Sequence, residues 1–319
     1  MQYLINKAIA SSASILSLGD SRLSILIFHR VLDAYDFMRP DEISDTEFDI
    51  KMQLIAQHFT PLSLLDAVEM LENDTLPNRA ICVTFDDGYR DNADIAYPIL
   101  KKWNIPATFF VASGFLDGGR MWNDTVIEAV RGYGNKKLDL SEIDLGVFHC
   151  ATEQQKEQTA QAVIQQIKHC DPKKRNESVD YLASLVARLP DDLMMCSEQV
   201  KQMSENGIEI GGHTVSHPIL ATLTTEQAEA EISGGKKALE NIIQKPVTLF
   251  AYPNGKLGQD YLSEHVEIVK KLKFKAAVST NWGVSNSKSD VYQLNRFTPW
   301  DKQSNKFMVR LVRNLTNLG

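Results

Sequence analysis

The sequence predicts an α/β fold, and three observations support this prediction. Short apolar runs typical of buried strands alternate with segments in which apolar residues recur at helical spacing. The chain has 319 residues, of which 43% are hydrophobic and 24% are charged, the balance of an ordinary globular protein. A single α/β barrel can also span more than about 250 residues, so this length does not require two domains.

Seven short apolar runs are predicted to form strands. They are Ser24–Phe28, Ala80–Phe85, Ala107–Ala112, Ile208–Gly211, Val247–Ala251, Phe274–Ser279 and Val291–Phe297. Segments of helical period lie between them. In one of these segments, Ala228, Ile232 and Leu239 follow a capping box formed by Thr224 and Gln227. This alternation is the pattern of an α/β protein.

The stretch from Arg120 to Met203 differs from the rest because it is long, polar and helical in pattern. Val163 and Ile167 share helical spacing, as do Leu182 and Val186, and no strand signal interrupts the stretch. We therefore predict a helical insertion over about 120–203, able to act as a lid. The chain as a whole is predicted to be one domain, residues 1–319.

The net charge and the cysteine pattern limit the possible functions. A formal net charge of −7 disfavours a general binder of phosphate backbones, so no nucleic-acid partner is expected. The cysteines show no CxxC spacing and therefore predict no cysteine-based metal or redox motif. This cysteine pattern fits a protein of the reducing cytosol better than an exported protein stabilised by disulfides.

The two ends of the chain bear on localisation. The apolar stretch within Met1–Gly19 is interrupted by serines, so no secretory signal is predicted and a cytoplasmic protein is expected. Near the other end, Phe307, Leu311 and Leu315 form an apolar stripe beside basic residues. We expect a helix packed on the fold, and the alternative is a weak peripheral contact with an anionic membrane.

The first concentration of metal-capable residues ends the predicted strand Ala80–Phe85. It reads Thr84-Phe85-Asp86-Asp87-Gly88-Tyr89. Adjacent carboxylates at the end of a buried strand are costly, because they repel each other and lose hydration. A cation beside them resolves this conflict, and Gly88 permits a sharp turn into the next element. Taken alone, an Asp-Asp pair is more often a helix cap or a solvated turn.

The second concentration is His213-Thr214-Val215-Ser216-His217, preceded by two glycines and followed by Pro218. Histidines four residues apart converge on one ion if the segment forms a single helical turn. Such a pair is more often coincidental when it stands alone. Because both motifs follow predicted strands and both border glycine, together they favour a catalytic metal site. That site would have one carboxylate, two imidazoles and positions open to water.

The two motifs resemble those of the polysaccharide deacetylases, carbohydrate esterase family 4, also called the NodB-homology group. Thr84-Phe85-Asp86-Asp87-Gly88 matches the first motif of this family, and the segment from His213 to His217 matches the second, His-Ser/Thr-x-x-His. The resemblance spans about Ser24 to Phe297 without the insertion. It implies a distorted (β/α) barrel of about seven strands, with the site at their carboxyl ends.

The resemblance also implies a role for each residue of the site. Asp87, His213 and His217 would bind a divalent metal, for which zinc is expected, and Asp86 would be the general base. The backbone N–H of Tyr89 would help to stabilise the oxyanion. The substrate would be an acetylated glycan or a lipid-linked saccharide that loses its N-acetyl groups as acetate.

The sequence departs from the family pattern at the third motif, usually Arg-Pro-Pro-Tyr-Gly, whose arginine orients the base. Here the segment reads Phe250-Ala251-Tyr252-Pro253-Asn254-Gly255, with alanine in place of arginine. Arg296, within the last predicted strand, could supply the guanidinium from a neighbouring strand. A structural ion pair is the alternative interpretation of Arg296.

The late Leu-x-His motif, whose histidine protonates the leaving amine, is also absent, since no histidine follows His265. His29 ends the first predicted strand, and Phe28-His29-Arg30-Val31 resembles the opening of circularly permuted members such as the poly-N-acetylglucosamine deacetylases. In those proteins the acid histidine comes from the first strand. A closed barrel makes its first and last strands neighbours, so we expect His29 to be the general acid rather than a structural residue.

Further residues are candidates for contacts with the sugar. Tyr252, Asn254 and Trp282 are predicted to line the sugar site, since aromatic faces stack on pyranose rings. Ordinary packing in the core or at the rim is the alternative for each of them. Two other functions stay open. One is hydrolysis of small cyclic or linear amides, as in allantoinase-like relatives. The other is a catalytically inactive barrel that binds glycans, which the missing third-motif arginine supports.

Overall fold

The computed structural model describes residues 22–299 and 301–316 and contains helices and strands that alternate along the chain. The strands are β1 (Leu23–Phe28), β2 (Val31–Leu32), β3 (Ile43–Ser44), β4 (Thr60–Pro61), β5 (Ala80–Phe85), β6 (Ala107–Val111), β7 (Lys137–Leu140), β8 (Gly146–His149), β9 (Glu209–Gly212), β10 (Leu249–Ala251), β11 (Ala276–Trp282) and β12 (Leu294–Arg296). The α-helices are α1 (Asp45–His58), α2 (Leu64–Glu72), α3 (Tyr97–Lys102), α4 (Trp122–Gly132), α5 (Glu153–Ile167), α6 (Pro172–Ser184), α7 (Ser197–Glu205), α8 (Thr225–Ile243), α9 (Ser263–Lys271) and α10 (Ser304–Thr316).

Seven parallel strands form a nearly closed barrel. Their order is β1-β5-β6-β9-β10-β11-β12, so each of these seven strands pairs with the next of the seven in sequence order. Backbone hydrogen bonds of Phe297 bring the end of β12 to β1: Ile27 N–H donates to Phe297 O (3.1 Å) and Phe297 N–H donates to Ile25 O (2.8 Å). The predicted barrel is therefore confirmed, and each of the seven predicted strands is present.

The last predicted strand is shorter than expected. Val291–Gln293 forms a short 3₁₀ turn, and only Leu294–Arg296 is extended and paired with β11. The 3₁₀ turn begins where the Asp290 carboxylate accepts a hydrogen bond from the Tyr292 N–H (2.9 Å). A side chain that bonds the backbone locally competes with strand pairing, and this explains the difference.

The two faces of each strand contribute to two separate cores, because successive side chains point to opposite sides. Leu26, Val83 and Phe85 pack with the surrounding helices. Ile25 and Cys82 pack instead with α2 and with alternate residues of the other strands, inside the barrel. The same alternation places the side chains at positions 84 and 86 of the chain on the inner side.

Helix α2 lies against the amino-terminal end of the barrel. The backbone N–H groups of Leu64 and Leu65 donate to the carboxylate of Glu209, the first residue of β9, at 3.0 and 3.2 Å. These two N–H groups belong to the first turn of α2 and have no partner within the helix. The opposite end, where the strands finish, remains for the functional site.

The stretch predicted as a helical insertion contains strands as well as helices, so the prediction that it holds no strand is wrong. β7 and β8 form an antiparallel hairpin, and they pack with α4, α5 and α6 around a small core of their own. In β7, Leu138 and Leu140 are buried while Lys137 and Asp139 are exposed. This alternation is too short to stand out among the longer helical segments around it.

Helix α7 belongs to the barrel layer although it falls within the predicted insertion. Val200 and Met203 of α7 are buried with the residues that pack between the strands and the outer helices. That residues 1–319 form a single domain stays a prediction.

The C-terminal helix α10 packs on the barrel as expected. Phe307, Leu311 and Leu315 are buried in the outer core, so the apolar stripe does not face solvent. Among the described residues, no helix is both long enough and apolar enough to cross a membrane. The segment Met1–Gly19, for which no secretory signal is predicted, lies outside the described residues.

Candidate metal centre and active site

The first motif turns sharply at the carboxyl end of β5. Asp87 has φ 77° and Gly88 has φ 90°, both in the left-handed region. A Cβ on Gly88 would lie only 2.9 Å from Cγ1 of Val111, so the turn requires glycine. Because of this turn, the carboxylates of Asp86 and Asp87 both line one cavity although they are adjacent in sequence. Both residues are buried.

The second motif follows β9 as a loop, so the expected helical turn between the two histidines is wrong. Thr214 and His217 have φ of 64° and 52°, which no α-helical turn allows. The Thr214 hydroxyl accepts a hydrogen bond from the His217 N–H at 3.1 Å. This local bond replaces the helical one and returns His217 towards His213.

Helix α8 holds this loop through two residues that the sequence analysis did not single out. The Glu231 carboxylate accepts hydrogen bonds from the N–H groups of Val215 (2.9 Å) and Ser216 (2.8 Å). A Cβ on Gly235 would lie 2.6 Å from the carbonyl oxygen of Thr214, so glycine lets the loop approach the helix. A glycine inside a helical pattern is a signal of such close approach.

Asp87, His213 and His217 form the candidate metal centre. Their ligand atoms all lie within 4.8 Å of one another. Asp87 Oδ1 is 3.5 Å from His213 Nε2 and 3.4 Å from His217 Nε2. Two ligands held tetrahedrally at 2.0–2.1 Å from one zinc ion are about 3.4 Å apart, so the spacing fits a shared ion.

Two further observations support a cation at this position. Asp87 Oδ1 is buried and has no hydrogen-bond partner among the described residues, which is costly unless a cation compensates it. His213 Nδ1 lies 2.7 Å from the carbonyl oxygen of Ala251, which can accept the ring proton and leave Nε2 free to bind metal. The donor set of one carboxylate and two imidazoles suits zinc with open coordination positions.

The electrostatics give Asp87 and His217 the protonation states that a metal site needs. Burial alone would lower the pKa of His213, but the carboxylates of Asp86 and Asp87 raise it. Burial alone would raise the pKa of Asp87, but the imidazoles of His213 and His217 lower it, so the carboxylate is ionised. Burial lowers the pKa of His217 to about 4, so this imidazole is neutral at pH 7. Metal ligation requires an ionised carboxylate and a neutral imidazole.

Arg296 makes a buried, bidentate ion pair with Asp86. Its Nη1 and Nη2 donate to the two carboxylate oxygens, each at 2.7 Å. Its Nε donates to the carbonyl oxygen of Ser279 at 2.8 Å, which fixes the plane of the guanidinium. Burial alone would raise the pKa of Asp86, but Arg296 lowers it. Arg296 therefore gives Asp86 the guanidinium partner that Ala251, which stands at the arginine position of the third motif, cannot provide. The catalytic role of Arg296 stays a prediction.

His29 lies at the mouth of the barrel, at the end of β1. It lines the cavity of about 350 Å³ that also contains Asp87, His213 and His217. It also lines a neighbouring cavity of about 420 Å³. The Nδ2 of Asn92 donates to the backbone carbonyl of His29 (2.8 Å) and fixes the chain there. His29 therefore lines the cavity that contains the metal centre, and its role as general acid stays a prediction.

The three residues predicted to contact the sugar lie in different surroundings. Asn254 lines the cavity that contains the metal centre, as expected. Tyr252 does not: it is fully buried and stacks on Tyr261 with ring centroids 3.9 Å apart, so its prediction as a sugar contact is wrong. Trp282 is 47% exposed, but it lies outside that cavity and packs against Phe297.

Tyr89 is buried between the barrel and the insertion. Its hydroxyl donates to the carboxylate of Asp124 in α4 (3.0 Å), and the guanidinium of Arg30 lies 4.6 Å from its ring centroid. The side chain therefore connects the barrel to the insertion. The proposed contribution of its backbone N–H to an oxyanion site stays a prediction.

The insertion supplies part of the cavity wall, which no motif indicated. The residues that it contributes are Met121, Trp122, Asn123, Ile164, Lys168 and Arg175. They lie in or next to α4, α5 and α6, and their sequence spacing carries no catalytic pattern. Only the packing of the insertion on the barrel brings them to the site.

Comparisons with known proteins agree with this geometry. The family model described as polysaccharide deacetylase matches residues 73–277. The putative polysaccharide deacetylase YxkH of Bacillus subtilis is 24% identical over 288 residues, which cover 90% of this chain and 74% of that protein. The poly-beta-1,6-N-acetyl-D-glucosamine N-deacetylase of Staphylococcus epidermidis is 30% identical over 82 residues, which cover 25% of this chain and 28% of that protein.

A solved structure shows the same fold. The structure of Streptococcus pyogenes deacetylase PplD in complex with acetate matches with a TM-score of 0.62 at 19% identity, covering 92% of this chain and 99% of that chain. The family match over 73–277 contains Asp86, Asp87, His213 and His217 but neither β1 nor β12. The two strands that carry His29 and Arg296 therefore lie outside it.

We predict that Arg296→Gln destabilises the protein by about 3–5 kcal/mol at neutral pH, because it leaves the Asp86 carboxylate buried without its partner. In the wild-type protein the pKa of Asp86 is lowered, so its contribution to stability is present above the unfolded pKa and is lost as pH falls through the folded pKa. In the variant, burial raises that pKa, so the deficit shrinks as the pH falls and Asp86 takes up a proton. Denaturant unfolding at pH 5 and pH 8 measures both effects.

The matched control is Arg188→Gln, which removes an arginine that is exposed. Its free energy of unfolding should change by no more than about 0.5 kcal/mol at either pH. An Arg296→Gln protein as stable as the wild type at pH 8 would show that the ion pair does not compensate Asp86.

Proposed function

Because this chain belongs to the polysaccharide deacetylase family, we propose that it is a metal-dependent hydrolase that removes acetyl groups from N-acetylated sugars of a glycan and releases acetate. The observation that carries this proposal is the grouping of Asp87, His213 and His217 beside the Asp86–Arg296 pair, in a cavity at the barrel mouth. Metal ligands and a base in one cavity are what hydrolysis of an amide requires.

Asp87, His213 and His217 would hold the divalent cation, and zinc is the expected metal. A cation held there lowers the pKa of a water molecule and polarises the acetyl carbonyl. The protein's contribution is to keep this donor set open and fixed. The loop from His213 to His217 is fixed by Glu231, and the ring of His213 is fixed by the carbonyl of Ala251.

Asp86 would accept the proton of the attacking water. Its lowered pKa keeps the carboxylate ionised at neutral pH, so it is ready to act as a base. Arg296 holds both carboxylate oxygens in one plane, and this fixes the orientation of the base. Asp86 Oδ2 is 3.9 Å from Nε2 of His213, so the base lies directly beside the metal ligands.

His29 would donate the proton that the departing amine needs. An amine is a poor leaving group unless it is protonated as the carbon–nitrogen bond breaks. His29 lines the same cavity as Asp86. It follows β1, which pairs with β5, the strand that ends directly before Asp86. Base and acid would therefore act from neighbouring strands of one barrel mouth.

The shape of the barrel mouth favours a glycan over a small amide. The cavity with the metal centre shares His29 with a cavity of about 420 Å³. It shares Trp122 and Arg175 with a cavity of about 630 Å³. Space therefore continues from the metal centre into two adjoining cavities, as a substrate with several sugar units requires, whereas a site for a small amide is usually enclosed.

We expect the purified full-length protein, loaded with zinc, to release acetate from an N-acetylglucosamine oligomer. Asp86→Asn should lower turnover at least a hundredfold, about the contribution of a general base, and should keep its bound metal because Asp86 is outside the ligand set. Acetate release and metal content, measured on the same samples, test both statements.

The exposed His149 provides the control, since His149→Gln should match the wild type in both measurements. A zinc-loaded wild-type protein that frees no acetate from N- or O-acetylated saccharides contradicts the proposal. If the same protein hydrolysed a small cyclic amide, the small-amide function would replace it.

A second prediction separates the acid from the base. His29→Gln should reduce kcat for the N-acetylated oligomer at least about tenfold, because the amine must be protonated. It should leave hydrolysis of 4-nitrophenyl acetate almost unchanged, because nitrophenolate leaves without a proton. An equal loss on both substrates would assign His29 a structural role instead.

A further inference from the structure

Arg175, in α6 of the insertion, is a buried cation without a counter-charge. It is only 8% exposed, and its Nε has no hydrogen-bond partner. Within residues 22–299 and 301–316, no carboxylate lies at ion-pair distance from it. Its guanidinium lies 5.1 Å from the ring centroid of Trp122. That contact stabilises the charge partly, but an aromatic face does not replace an acceptor in the plane of the guanidinium.

The other buried arginines of the described chain are paired. Arg39 binds Asp124 and Glu128, each at 2.8 Å, and Arg296 binds Asp86. The carboxylates raise the pKa of Arg39 although burial alone would lower it. Burial lowers the pKa of Arg175, and the charges of Cys170 and Asp171 oppose this shift without reversing it. Burying an unpaired charge is costly, so an external anion is the natural partner of Arg175.

Arg175 faces the candidate active site. It lines the same cavity as Asp87, His213 and His217. Lys168, which follows α5, lines this cavity as well, and its ammonium has no carboxylate within ion-pair distance in the described chain. Two unpaired cations thus border the site of a chain whose formal net charge is −7. Such a placement attracts a negatively charged ligand.

We propose that Arg175 and Lys168 bind an oxyanion, a phosphate or a carboxylate, that the acetylated glycan carries close to the acetamide that is cleaved. This proposal rests on the proposed function and specifies its substrate class. The planar guanidinium matches the two oxygens of either group, and the ammonium adds a point charge. Arg175 and Trp122 also line the adjoining cavity of about 630 Å³, so the anion can belong to the reacting sugar or to its neighbour.

The kinetic test compares three substrates of equal length with the zinc-loaded full-length protein. One is a neutral N-acetylglucosamine oligomer, one carries a phosphate on a sugar, and one contains a carboxylated sugar. The wild type should show a higher kcat/KM for an anionic oligomer by at least about tenfold, the effect of one charge-assisted hydrogen bond. The preferred oligomer identifies the anion as phosphate or carboxylate.

Arg175→Gln and Lys168→Gln should each lower kcat/KM for the anionic oligomer about tenfold more than kcat/KM for the neutral oligomer. Compared with Arg175→Gln, Arg175→Lys should restore part of the preference for the anionic oligomer. Lysine keeps the positive charge but lacks the two parallel N–H donors of the guanidinium. Lys174→Gln is the matched control, because it removes an exposed cation of the same helix that does not line the cavity. It should retain the wild-type preference.

A binding experiment keeps the proposal independent of turnover. Calorimetry with the deacetylated phosphate-bearing and neutral oligomers should show tighter binding of the phosphate-bearing one to the wild type, and a smaller difference between the two oligomers for Arg175→Gln, in which Lys168 remains. If no acetate is released from any substrate but this difference remains, the proposed function fails and the anion site stands. If the wild type shows no preference for either anion in kinetics and in binding, the anion site is overturned. The variant Lys168→Gln covers the case in which Arg175→Gln does not fold.

Discussion

Two adjacent buried carboxylates at the end of β5 set the constraint on which the rest of the site depends. Asp86 and Asp87 cannot both be buried as anions unless each finds a positive partner. For Asp86 that partner is the guanidinium of Arg296, bound through two hydrogen bonds. For Asp87 only two imidazoles are at hand, and its Oδ1 lacks a hydrogen-bond partner among the described residues. A cation shared with His213 and His217 would complete the balance.

This division of partners explains how one barrel mouth can hold a metal site and a base side by side. Asp86, which is bound to Arg296, has both carboxylate oxygens oriented by the guanidinium. Asp87, which lies beside His213 and His217, would offer an oxygen to the ion. The sharp turn at Asp87 and Gly88 makes the division possible, because without it neighbouring side chains of a strand would face opposite sides. Closure of the barrel at Phe297 then brings β12 next to β1, and with it Arg296 and His29 to the same mouth.

Much of the fold and the grouping of the three candidate metal ligands could be predicted from the sequence, because local patterns carry them. Buried strands read as apolar runs, and Asp87, His213 and His217 stand in short motifs at strand ends. Other features depend on long-range packing. The pairing of Arg296 with Asp86 joins residues 210 positions apart, so the sequence left an ordinary ion pair equally open. Tyr252 looked like a sugar contact beside the third motif, but its ring turns into the core and stacks on Tyr261.

The insertion was the least predictable part. Its hairpin is too short to show a clear period. Arg175 and Lys168 belong to no motif, and only their position in the wall of the active-site cavity suggests a function for them. The conformation of the loop from His213 to His217 could not be predicted for a related reason. Glu231, 14 residues beyond His217 in α8, binds the backbone of this loop, in which two residues are left-handed. The spacing of the two histidines does not reveal such a contact.

The central claim is that Asp87, His213 and His217 surround one divalent cation, and X-ray absorption spectroscopy on the zinc-loaded protein, with metal content of single-ligand variants, tests it most directly. We expect one zinc per chain, bound by two imidazole nitrogens and carboxylate oxygen at about 2.0–2.2 Å, and lost on dialysis from Asp87→Ala and His217→Ala. Zinc that stays fully bound in both variants, or a first shell without imidazole, would contradict this assignment.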